Sequence, residues 1–167
     1  AAAKGESAYT PATALIAALA AALDYLRQGG EGDLANGRDR LIAGAELCAE
    51  MTRAAVSALG LRLFAPAAPA SALTAMVPPA GLDSGKIVAG LREKFGAVVA
   101  NGQGEMKGKL FRIAHIGYYD YLDTIGVIGA LEHVLAANGA EVDLGAGLRA
   151  AQQVYASAEA QPAAARA

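Results

Sequence analysis

A chain of 167 residues, 54% of them hydrophobic, is long enough to bury one sizeable core and reads as a water-soluble globular protein. Fourteen Lys and Arg against sixteen Asp and Glu give a formal charge of -2, with no basic run and few aromatic residues, which excludes the electrostatic footprint of a nucleic-acid binder. A single cysteine, Cys48, excludes both a disulfide framework and a cysteine-based zinc site, and fits a reducing cytoplasm.

The opening AAAKGESAYTPAT has no hydrophobic period, and Thr10-Pro11 predicts an extended lead into a helix that holds Pro11 in its first turn. That helix covers 12–28. Its TALIAALAAAL run is too short for a bilayer span and lacks the basic start and cleavage site of a signal peptide, so it reads as a buried helix and no membrane partner is expected. Gly29-Gly30 ends it. After polar EGDLANG, residues Leu34, Leu41, Ala45, Cys48, Thr52, Ala55 and Leu59 recur on one face of a long second helix.

Gly60 caps that helix, LRLFA at 61–65 alternates as a strand with Arg62 exposed, and proline-rich APAAPASA interrupts the pattern. A second strand at 72–77 stops at Pro78-Pro79. DSGKIVAGLREKFG then opens a helix on Asp83 or Ser84, places Ile87, Val88, Leu91 and Phe95 on one face and ends at Gly96. A short strand AVVA, the loop NGQGEMKGK, the strand LFRIAHI and a helix over 120–136 complete a β-β-α-β-β-α pattern after two N-terminal helices. The predicted class is α+β, with a small antiparallel or mixed sheet of about four strands and helices packed on one face. From Glu141 a last helix is expected, making 138–158 a helical extension, with 159–167 a disordered tail.

The chain has no GxSxG elbow, no HExxH, no Walker loop and no strand-anchored GxGxxG. GQGEMKG precedes a strand, whereas a nucleotide loop follows one and opens a helix, so it is a poor phosphate cradle. His115 and His133 are too few and too isolated for a metal, and read as a sheet-face and a surface-facing helix histidine. Glu105, Lys107 and Lys109 form a solvated loop rim, and Asp120 and Asp123 are acids suited to a helix N-terminus. Arg112 stands apart. Strand parity puts Phe111, Ile113 and His115 on one face and Leu110, Arg112, Ala114 and Ile116 on the other, and a guanidinium cannot be buried there without a partner. Spacing leaves two readings open: an exposed or salt-bridged sheet arginine, or a rigidly mounted fork for a carboxylate or phosphate.

The stretch KGKLFRIAHIG behind a GQG turn resembles the C-terminal small domain of class V pyridoxal-phosphate (PLP) aminotransferases, of the serine/alanine:glyoxylate (serine:pyruvate) type. YTPAT, ALGLRLFA, TAMVPP, FGAVVANGQG and RIAHIG occur in the family's order, so the resemblance covers 7–137. It implies residues 1–11 as an extended segment from a large domain absent here, 12–137 as the small domain, and a homodimer with active sites at the subunit interface. It implies further that Arg112 binds the substrate α-carboxylate. Thr10, with Tyr9 or Ser7 as the alternatives, would contact the PLP phosphate of the neighbouring subunit.

The lysine that holds PLP belongs to the large domain and Lys4 does not match it, so the resemblance predicts no bound cofactor and no transamination by this segment alone. The intact enzyme would move an amino group from serine or alanine to glyoxylate or pyruvate. Helix one would then expose an apolar face. Two alternatives are a noncatalytic carboxylate-binding α+β module and another class V branch, such as a phosphoserine aminotransferase or a cysteine desulfurase; Cys48, in a buried helical face, argues against the last.

Overall fold

The computed structural model describes residues 9–160, so Lys4, Ser7 and the end of the expected tail lie outside the described residues. The chain divides after Ile42 into two compact units.

In the first unit, α1 runs Thr13–Gly29, and Pro11 lies just ahead of it rather than in its first turn. The run read as a buried helix is not buried: no α1 residue is, and Leu15, Ile16 and Leu19 are each at least 60% exposed. The apolar face implied by the resemblance is thus present. Glu31, at φ +57°, and Gly32, at φ +100°, turn the chain, and Asp33 accepts the Ala35 N–H to start α2 (Leu34–Ala58).

The second unit holds the sheet. Strands β1 (Arg62–Leu63), β2 (Leu73–Val77), β3 (Ala100–Asn101) and β4 (Phe111–Ala114) pair in the order β1-β2-β4-β3, every pair antiparallel, which removes the mixed alternative. Helices α3 (Ser84–Phe95) and α4 (Tyr121–Ala137) follow the expected order. Thr74, Met76, Phe111 and Ile113 turn to the buried face. There Met76, Phe111 and Ile113 join Val56 of α2 and Leu59 just past its end, Ile87 and Leu91 of α3, and Leu131, Val134 and Leu135 of α4 in one core. The other face of β2 and β4 is only half-buried or exposed. Among the described residues no helix is long and apolar enough to cross a membrane.

Three elements are shorter than their patterns. β1 covers two of the five residues in LRLFA, because the chain bends away after Leu63 toward the prolines. AVVA is not a strand except at Ala100: Gly96 adopts a left-handed cap at φ 69°, the Ala97 N–H returns to the Leu91 carbonyl, and Ala97 and Val99 pack on the core from unpaired backbone. The last helix, α5, begins at Ala146 rather than Glu141 (Ala146–Glu159).

Its start is set by α4. Glu132, 2% exposed, accepts backbone N–H groups from Gly145 (2.6 Å), Gly147 (2.8 Å) and Leu148 (3.1 Å), so a carboxylate thirteen residues back satisfies the free N–H groups of the α5 N-terminus. Replacing Glu132 with Ala strands those donors and should cost about 2–4 kcal/mol. Urea unfolding measures it. A loss below about 1 kcal/mol would mean that solvent can reach these groups.

Candidate functional site

On β4 the alternation works as expected from Phe111 onward. Phe111, Ile113 and His115 are at most 3% exposed, Arg112 is half-buried on the opposite face, and Ala114 and Ile116 are exposed. Leu110, expected beside Arg112, is instead 6% exposed, because the strand begins one residue later and Leu110 still belongs to the end of the loop.

The register defines what surrounds Arg112. Its cross-strand partners are Ala75 on β2 and Ala100 on β3, so two methyl groups flank the guanidinium on the open face of the sheet. Arg112 Nη2 donates to the Asn101 carbonyl at 3.0 Å, while its Nε, buried, has no hydrogen-bond partner among the described residues. It takes no part in the ion pairs formed among the described residues. Among the described residues Arg112 is thus a cation with donors to spare.

The 101–109 loop leads into β4 and opens no helix of the length a nucleotide loop would. It holds a short 3-10 turn at Gly104–Met106, and Glu105, Lys107 and Lys109 are exposed as expected. Gly102 is demanded by close approach, since a Cβ there would overlap the Met106 carbonyl. Gly108, at φ +79°, lies under the Asp83 carboxylate, which any Cβ would crowd. Asp83 is the N-cap of α3, accepting the Gly85 N–H at 2.6 Å. Ser84, wholly buried, donates its N–H to the Gly108 carbonyl at 3.0 Å and its Oγ–H to Asn101 Oδ1 at 2.6 Å. Sequence reasoning read Asp83 and Ser84 only as caps and did not single out Asn101; the Asn at the head of a glycine loop was the available signal.

Tyr9 and Thr10, the candidates for a phosphate contact, belong to the first unit, where both are exposed ahead of α1. Lys86, Lys94, Lys107 and Lys109 are all exposed. Among the described residues no group of three or more His, Cys, Asp or Glu can hold a metal ion. His133 is exposed and stacks on Phe95, centroids 6.2 Å apart. Cys48 is buried as its pattern predicted, and burial raises its thiol above the ordinary range.

Behind Arg112, on the core side, His115 bonds through Nε2 to Thr74 Oγ1 at 2.9 Å and lies 5.8 Å from the Tyr119 ring. Burial, with a smaller push from Arg53, lowers its pKa to about 4. Burial likewise pushes the Tyr119 phenol up to about 12, offset in part by the nearby Thr124 hydroxyl.

No family model matches the chain. It is 34% identical over 158 residues to the soluble hydrogenase small subunit of a Synechococcus strain, covering 94% of this chain and 39% of that protein. Against the serine–glyoxylate aminotransferase of Hyphomicrobium methylovorum it is 34% identical over 149 residues, covering 88% and 35%. The solved pyridoxamine–pyruvate aminotransferase of Mesorhizobium loti superposes with a TM-score of 0.77 at 30% identity, over 92% of this chain and 38% of that one. The antiparallel α+β layer is therefore an aminotransferase fold element. The chain belongs to the class V aminotransferase family, serine/alanine–glyoxylate type, and spans a little over a third of its relatives' length, an extent consistent with the C-terminal domain.

The His115 shift gives a pH dependence. The folded value lies below the ordinary 6.5, so as pH falls the unfolded chain takes the proton first; this contribution is complete above about 6.5 and is lost down to about 4. The loss should be on the order of 3 kcal/mol. Unfolding curves for the wild type and His115→Gln should diverge between pH 7 and pH 5, and parallel curves would refute it.

Proposed function

We propose that this chain is the C-terminal domain of a PLP-dependent transaminase that transfers an amino group from a small amino acid, serine or alanine, to a 2-oxo acid, glyoxylate or pyruvate. The observation that carries this reading is Arg112: a half-buried guanidinium on the open sheet face, held on one side by the Asn101 carbonyl and free of ion pairs among the described residues. A planar fork of N–H donors matches both oxygens of a carboxylate. Both substrates carry one.

Arg112 would grip that carboxylate and so fix the direction of the reacting Cα bonds, a positioning role with no proton transfer by the guanidinium. PLP, held by a lysine outside this segment, would supply the electron sink. On this reading the segment alone is inactive, the intact enzyme is a cytoplasmic homodimer, and Thr10, or Tyr9 beside it, meets the cofactor phosphate of the neighbouring subunit. Burial of Cys48 in a helix speaks against a desulfurase, which needs an accessible nucleophilic thiol.

In the full-length enzyme, Arg112→Ala should raise KM for the amino donor and lower kcat/KM by about 100-fold, the scale of a lost charge-assisted pair, with cofactor absorbance intact. Arg112→Lys should recover only part of the loss, because a point charge replaces a fork. Unchanged kinetics in both variants would end the assignment.

A further inference from the structure

We propose that Ser84 and Asn101 are positioning residues for Arg112, and that the α3 N-terminus sets the orientation of the carboxylate-binding guanidinium. The inference rests on Arg112 being the carboxylate anchor, as proposed above. Arginine has many rotamers, and a fork that must first be ordered binds a carboxylate more weakly than one already aimed. What aims this one is the Asn101 carbonyl, 3.0 Å from Nη2.

That carbonyl is on β3, a two-residue strand at the edge of the sheet, and so short an edge element needs help to stay in place. Ser84 supplies it. Its hydroxyl donates to Asn101 Oδ1 at 2.6 Å, and the same oxygen accepts the Gly102 N–H at 2.8 Å. The Ser84 N–H binds the Gly108 carbonyl at 3.0 Å, so one wholly buried serine holds both ends of the 101–109 loop against the first turn of α3. Asp83, capping that turn and packed over Gly108, fixes the serine in its place. The chain of contacts Asp83, Ser84, Asn101, Arg112 therefore runs from a helix cap to the guanidinium, and Ser84 and Asn101 act through Arg112.

The test uses Ser84→Ala and Asn101→Ala in the full-length enzyme. Alanine at 101 keeps the carbonyl that Arg112 uses and removes only the side chain that anchors it. Each variant should raise KM for L-serine or L-alanine about three- to tenfold, the equivalent of one hydrogen bond, with kcat essentially unchanged. A second readout needs no turnover: acetate titrated against the Arg112 Nε–H NMR signal should bind more weakly by a similar factor. Circular dichroism identifies a variant that fails to fold, and the other then carries the test.

If folded variants keep wild-type KM and acetate affinity while Arg112→Ala raises KM, the positioning role is overturned and the anchor survives. If Arg112→Ala also behaves as wild type, both fall.

Discussion

Arginine cannot shed its charge, and this constraint organises the sheet of the second unit. A lysine or a carboxylate in the middle of a strand can be neutralised by its surroundings, but a guanidinium stays cationic at any working pH and must be hydrated, paired or hydrogen-bonded. Around Arg112 the structure keeps bulk away: alanine stands opposite it on both neighbouring strands. The helices cover only the other face, where Phe111 and Ile113 sit in the core. A third helix layer over the open face would have to meet that charge, and within the second unit none does.

The same economy of anions recurs at the helix starts. In the second unit α3 begins on Asp83, α4 on an Asp120–Asp123 capping box, and α5 on Glu132 reaching in from α4. Each carboxylate meets N–H groups that have no partner within their own helix and lies at the positive end of the dipole. The α3 case differs in what adjoins it, because the residue after the cap reaches out of the helix to the loop before β4. A stabilising device and a candidate functional device share one turn of helix.

Legibility in the sequence followed the range of the interactions. The caps Asp83, Asp120 and Asp123, the stop at Pro78-Pro79 and the left-handed Gly96 are local, and each lies where its local signal placed it. Arg112 stood out because period-two alternation is also local. What escaped depends on partners distant in sequence. The start of α5 waits on Glu132, and the anchoring of Arg112 depends on Asn101 and, through it, on Ser84 seventeen residues before that. AVVA misled for a related reason: its apolar residues are wanted by the core, but the turn at Gly96 leaves them no strand to pair with until Ala100.

The two faces of β4 show why the arginine, rather than the histidine three residues on, is the group to connect with a ligand. His115 is almost fully enclosed, and burial is accommodated by giving up its charge, so that it stays a neutral hydrogen-bonding partner of Thr74. Arg112 has no such escape. It is only half covered, one donor is committed to a backbone carbonyl, and its buried Nε faces no acceptor of the described residues. One stretch of chain thus yields a core residue on its covered side and, on its open side, a cation with hydrogen-bonding capacity that the sheet leaves unused.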